Sequence, residues 1–453
     1  MEYTNKAKES ILREHSVNKI ISVFDHWNYT NQNFNFEIWE NATKLLSEIT
    51  EFDGDLCDEL LFSGFIEELR VHLLSLRQLV CVYDVDEEKR YVENNNIMIF
   101  KNVSKIILNI AKKRDDHCNN VRSNNTLIMI LIETFIKVAN HYVIFSSKID
   151  DEEQLDLTME AIAYILEAII ALFYVYEGSL ASRIKFRLKL FNFIKLIIKL
   201  IATPNFPLVR INSLRIINFC VTKFENEIEY FIEHKLLSVL IKSWNSKELY
   251  TNVDGSFALE QELIMLIISN INETVNNEIF SNISQNNDIL SMVCQALLNS
   301  TWNSKNIIIS AFLFLNQILE SGLQSIIQSV ITYNKGKIMT CIAASMNCIF
   351  AEIQKNKVNK RDKQEIMALF KNLCLIVQDK VLPFIYIQIQ IKKCKIISNL
   401  KKHKVIIKST QSDEFIPNDT FLEKHNLIDI SRYILYFVLI KESKQNKLPI
   451  FPY

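Results

Sequence analysis

The chain has 453 residues, more than one ordinary core would use, with 49% hydrophobic residues and a formal net charge of −1. Only 6 Gly and 6 Pro are present, which excludes the turn-rich β architectures and predicts an all-α protein. The near-neutral balance argues against a uniformly basic or acidic binder, and nine scattered cysteines without CxxC pairs suit reduced, buried thiols rather than a disulfide scaffold.

In chain order, the first segment, MEYTNKAKESILREH, is polar and lacks the apolar core of a secretory signal. Residues 1–33 are expected to form an N-terminal helical cap, 34–440 a repetitive helical body, and 441–453 a C-terminal tail. EIWENATKLLSEI predicts a helix with Glu48 near its end, and ELLFSGFIEELRVHLL predicts two helices joined at Gly64. Two acidic stretches, Cys81 to Asn96 and Ser146 to Leu157, are expected to be projecting loops. The rich windows TMEAIAYILEAIIALFYVY and KLFNFIKLIIKLI carry Glu160, Glu167, Lys189, Lys195 and Lys199 at helical spacing. A membrane span needs about 20 residues nearly free of charge, so these read as buried helices and no transmembrane segment is expected.

From Val209 onward a phrase repeats. A short helix turns into a second helix, and after a loop a longer third helix closes on Asn: VRINSLRIINF, LEQELIMLIISNI, IIISAFLFLNQIL and KQEIMALFKNLCLI, with VSKIILNIAKK upstream. The third helices are read as ending at Asn109, Asn218, Asn270, Asn316 and Asn372; the last three intervals are 52, 46 and 56 residues. The 109 residues between Asn109 and Asn218 leave room for one further unit, with Leu172 in the place of Asn. The helix-to-helix turns carry Gly64, then His234-Lys235, Asn286-Asn287 and His425-Asn426, where a left-handed residue is expected. Pro204, Pro207 and Pro383 fall at expected helix starts, where the missing N–H costs little. After Asp379 the register is open.

Periods of roughly 40–47 residues in triple helices mark an α-solenoid, and these units resemble the armadillo repeat. The resemblance implies a right-handed α-solenoid superhelix of about seven degenerate three-helix repeats. It also implies a concave groove lined by third helices, whose Asn amides hold the backbone of an extended peptide: here Asn109, Asn218, Asn270, Asn316 and Asn372. An amide offers both a donor and an acceptor, as an extended backbone requires. Asparagine is abundant throughout this chain, so the competing reading is that each amide caps its own helix. The Trp that importin-α-type adaptors carry four residues earlier is absent, since those positions hold Lys105, Leu214, Leu266, Phe312 and Ala368. β-Catenin-like grooves use basic rows, which only Lys105 resembles.

No phosphate loop, GxSxG elbow or HExxH occurs, and His117-Cys118 has no second pair at zinc spacing. A non-enzymatic protein without metal or cofactor is expected, in the cytoplasm or nucleus. Its favoured role is a scaffold or adaptor binding a partner protein's segment or domain. The second expectation is nucleic-acid or anionic-membrane binding through residues 355–408, where 14 Lys/Arg face 3 Asp/Glu. Lys392, Lys393, Lys395, Lys401, Lys402 and Lys404 are its candidate contacts. Few aromatics interleave with these lysines, which disfavours nucleic acid. From Phe36 to Glu93 the balance reverses, 15 Asp/Glu against 5 Lys/Arg. The third expectation, a cofactor or exchange factor for a chaperone or GTPase, rests on the fold resemblance alone.

Overall fold

The computed structural model describes residues 36–52, 87–112, 130–136, 152–173, 192–202, 206–225, 228–245, 256–298 and 305–338, with single positions between and beyond these up to 345. Among them all regular structure is helical and no strand occurs. The chain divides into two compact units, Met1–Phe224 and Glu225–Tyr453.

The first unit holds α1 (Phe36–Phe52), α2 (Glu87–Lys112), α3 (Glu152–Phe173), α4 (Asn192–Ile201) and α5 (Pro207–Lys223). Pro207 opens α5 as its sequence position predicts. α1 packs on α2, α2 on α3, and α3 on α5, with α4 also against α5. The faces in contact are dense with branched and aromatic side chains: Phe100, Ile106 and Ile110 of α2, Ile162, Leu166 and Ile169 of α3, and Leu214 and Ile217 of α5 are fully buried. Phe173 stacks on Phe219 with centroids 4.9 Å apart, joining the last turns of α3 and α5.

Two expected loops are partly helix. Glu87–Asn96 forms the start of α2 and Glu152–Leu157 the start of α3. Acidic composition suggested exposed loops, but Glu is a good helix former, and carboxylates near a helix N-terminus complement its dipole.

The second unit reads as short, medium and long helices in series: α6 (Ile228–Glu233), α7 (Leu236–Asn245), α8 (Ser256–Thr274), then α9 (Asn277–Ser284), α10 (Asn287–Leu298), α11 (Lys305–Glu320). α12 (Gln324–Thr332) and a 3-10 turn, Tyr333–Gly336, follow. α6 turns into α7 at Lys235, whose φ of 66° is the left-handed residue expected there. The equivalent turn before α10 works differently. Asn286 does not adopt positive φ; its Oδ1 instead accepts from Asp288 N at 2.9 Å and Ile289 N at 3.2 Å and caps α10. Asn276 caps α9 in the same way. Both use the short acceptor side chain to satisfy amides that the first helical turn leaves unpaired.

Contacts between these helices recur at one separation. Asn306 Nδ2 donates to Glu262 Oε1 at 2.8 Å across 44 residues, and Asn272 Nδ2 to Gln317 Oε1 at 3.2 Å across 45. Tyr333 Oη donates to Asn287 O across 46, Asn276 Nδ2 to Glu229 Oε1 across 47, and Trp244 Nε1 to Gln295 Oε1 across 51. α8 packs on α11, α7 on α10, and α9 on α12. Helices α7, α8 and α9 therefore each meet a counterpart about one period later.

Candidate functional site

The long helices bury most of their circumference and leave one narrow stripe half open. On α2 the stripe is Lys101, Lys105, Asn109 and Lys112; on α3 it is Glu160, Tyr164, Glu167 and Ala171. On α8 it runs Glu262, Leu266, Asn270, Glu273, and on α11 Asn306, Ile309, Leu313, Asn316, Glu320. The 3- and 4-residue steps put each set on one helical face.

Three of the five candidate asparagines, Asn109, Asn270 and Asn316, fall on these stripes, and a fourth, Asn218, lies half-buried on α5 beside Arg215. None ends its helix, because α2, α5, α8 and α11 run on to Lys112, Lys223, Thr274 and Glu320. Asn109 spends both amide hydrogens on α1, donating to Ser47 O at 3.1 Å and Thr50 Oγ1 at 3.0 Å. Asn218 and Asn270 are half-buried, and their carbonyls accept from Thr222 and Thr274 one turn later, each at 3.0 Å. Asn316 Nδ2 donates to Glu320 Oε1 at 2.9 Å, while its Oδ1 is enclosed without a hydrogen-bond partner. Asn372 and the lysines 392, 393, 395, 401, 402 and 404 lie outside the described residues, as do Gly64, His117-Cys118 and His425-Asn426. Leu172, placed by the repeat count at the Asn109 position of its unit, is buried; Glu167 occupies the open stripe instead.

The row four residues before each Asn does not form one surface. Lys105 and Leu266 are half open, but Leu214 and Phe312 are core residues. On α5 and α11 the open neighbour lies three residues before, at Arg215 and Leu313.

Across α1, α2 and α3 the stripes alternate in charge and satisfy one another. Lys105 pairs with Glu51 of α1, while Lys101 and Lys112 pair with Glu160 and Glu167 of α3, all at 2.7 Å. The Lys101 and Lys105 ammonium groups also stand 5.8 and 6.0 Å from the Tyr164 ring centre. Burial works to lower the Lys105 ammonium, but the Glu51 hydrogen bond and charge outweigh it and hold it above its ordinary value. Burial pushes the Tyr164 phenol up, and Glu160 and Glu167 add to that against the opposing Lys105.

The α8–α11 face is different. It presents the carboxylates of Glu262, Glu273 and Glu320, amides at Asn270, Asn306 and Asn316, and half-open Leu266, Ile309 and Leu313. Beyond Lys305 at the first position of α11, neither helix carries a basic residue.

A second set of amides was not singled out by sequence reasoning. Asn102, Asn212 and Asn272 are buried and tie long helices together. Asn102 Nδ2 donates to Thr43 Oγ1 at 3.2 Å and Asn212 Nδ2 to Ala163 O at 3.0 Å. Asn272 bridges Gln317 of α11 and Ser284 of α9. A polar residue inside an otherwise apolar helical face was the available signal, since buried amides need partners.

Among the described residues no helix is long and apolar enough to cross a membrane, and no group of three or more His, Cys, Asp or Glu converges as a metal cage would require. No family model matches the chain, and no curated protein matches it. Among solved structures, an engineered protein known from its crystal structure is similar to 74% of this chain and 98% of its own, at 12% identity and a TM-score of 0.25. A likeness at that score says nothing about fold or function.

Proposed function

We propose that this chain is an armadillo-like α-solenoid, and that it acts as a non-enzymatic scaffold or adaptor gripping an extended segment of a partner protein along its long helices. Support for the solenoid comes from the hydrogen bonds that recur 44 to 51 residues apart in the second unit, the pattern of repeats that touch only their neighbours.

The observation that carries the binding reading is the α8–α11 face. Its amides suit a backbone, its Leu266, Ile309 and Leu313 suit apolar side chains, and its carboxylates, Glu262, Glu273 and Glu320, suit Lys or Arg on the partner. Turning the Asn316 amide toward a bound backbone forfeits only its Glu320 bond, because its Oδ1 has no partner to lose. The α1–α3 face suits the role less, since its lysines are already held by carboxylates. The site is thus assigned to the second unit.

A photo-crosslinking residue at position 270 or 316, in full-length protein exposed to native lysate, tests this. Covalent adducts at those positions and none from a control at Lys242 on α7 are expected. Equal labelling from Lys242, or no adducts from 270 and 316, would contradict the assignment.

A further inference from the structure

Two asparagines on the open stripe of α11 are held by carboxylates. Asn316 Nδ2 donates to Glu320 Oε1 one turn further along at 2.9 Å, and Asn306 Nδ2 donates across to Glu262 Oε1 of α8 at 2.8 Å. Each carboxylate thus engages an amide that a bound backbone carbonyl would need as its donor. Glu320 is the exposed last residue of α11, and no basic residue lies in that turn. The negative end of the helix dipole adds to its charge, so a cation is favoured there. Asn272 of α8 meets Gln317 at this same end of α11, and Glu273, the next residue of α8, adds a second exposed carboxylate.

We propose that Glu320 is a specificity-determining latch, which reserves Asn316 for extended protein segments that carry Lys or Arg. The inference rests on the assignment of binding to the α8–α11 face. In the free protein the carboxylate holds the amide. An incoming ammonium or guanidinium pairs with Glu320 and draws its carboxylate away, and the released Nδ2–H donates to a carbonyl of the same segment. A neutral segment brings no such exchange. To reach Asn316 it must break the Glu320 bond and leave that carboxylate beside the negative helix end without a cation. Because the bond is exposed, the discrimination is several-fold and not absolute.

Three substitutions separate a latch from plain charge attraction. Glu320→Ala removes both the charge and the competing acceptor. Glu320→Gln removes the charge but keeps an acceptor for the Asn316 amide. Glu273→Ala removes a carboxylate that holds no amide among the described residues.

The test selects peptides from a random display library on full-length protein and keeps those that a photo-crosslinking residue at position 270 captures. Fluorescence anisotropy then compares a captured peptide with a neutral copy in which norleucine replaces each Lys or Arg. Glu320→Ala should weaken the basic peptide several-fold and strengthen the neutral one. Glu320→Gln should weaken the basic peptide and leave the neutral one no tighter than on wild type. Glu273→Ala should weaken the basic peptide without strengthening the neutral one. Circular dichroism confirms that the variants, all at exposed positions, keep the wild-type fold. A neutral peptide that gains nothing from Glu320→Ala, or captured peptides without enrichment in Lys and Arg, would overturn the latch and leave the binding face standing. Capture of no peptide from position 270 would overturn the binding assignment, and this inference with it.

Discussion

The side-chain amide of Asn109 donates to the Thr50 hydroxyl at 3.0 Å, and seven residues earlier Asn102 makes the same kind of bond to Thr43 at 3.2 Å. Seven residues are close to two helical turns, so the pair pins α1 to α2 in one register. Each threonine also donates back to its own helix, Thr50 to Leu46 O and Thr43 to Trp39 O. An asparagine expected from sequence to meet a partner's backbone is therefore engaged within its own unit.

That engagement predicts a stability phenotype. Asn109→Ala removes two interhelical donations and should lower unfolding free energy by about 1–3 kcal/mol, at roughly 0.5–1.5 kcal/mol net per hydrogen bond. Denaturant unfolding measures this. Partner binding per folded molecule should not change.

A core position gives the largest expected effect. Phe312 is 1% exposed within α11, and Phe312→Ala should cost about 3–5 kcal/mol through lost burial and the cavity left behind. A near-neutral result would show that α11 does not pack as described.

The α1–α3 charge lattice makes a pH prediction. Lys105 and Tyr164 are both held above their ordinary values of 10.5 and 10.0. A group raised by folding contributes stability that is complete below its unfolded value and lost as pH rises through the folded one. Stability should therefore hold up to about pH 10 and fall above it in the wild type. Lys105→Met should flatten that decline; an unchanged alkaline limb would mean that the Glu51 pair contributes nothing. The neutral-pH effect should be small, as for exposed ion pairs in general.

The proposed solenoid has a bulk signature. A compact globule of this length would have a radius of gyration of about 22 Å. Small-angle scattering from monomeric protein should give a clearly larger value with an asymmetric distance distribution. A value at the globule expectation would contradict the superhelix.

Much of the helical pattern was legible in the sequence, because few Gly and Pro and a 3.6-residue apolar period leave little else to form. The turn at Lys235 and the start at Pro207 were legible for local reasons, a left-handed residue and a fixed φ. What failed was local choice between equivalent devices. Asn286 serves as a helix cap where a left-handed turn was expected, and both use the same residue type. Helices α2 and α3 begin earlier than their acidic composition suggested. At the candidate site, sequence found the stripe through Asn270 and Asn316 but could not tell a stripe asparagine from a buried one two residues away, such as Asn272. That distinction depends on which flank the neighbouring helix covers. The loss of the Asn109 amide to Thr50 depends on α1, some 60 residues earlier, as the separations of 59 and 62 show.

The proposed role stands or falls most directly on the double variant Asn270→Ala, Asn316→Ala, with melting temperature and affinity for the crosslinked partner measured on the same preparation. Neither ends its helix and both are half-buried, so melting should move little. Affinity should fall by about 1–3 kcal/mol, at roughly 0.5–1.5 kcal/mol per amide. A destabilised protein whose affinity per folded molecule is unchanged would contradict the account.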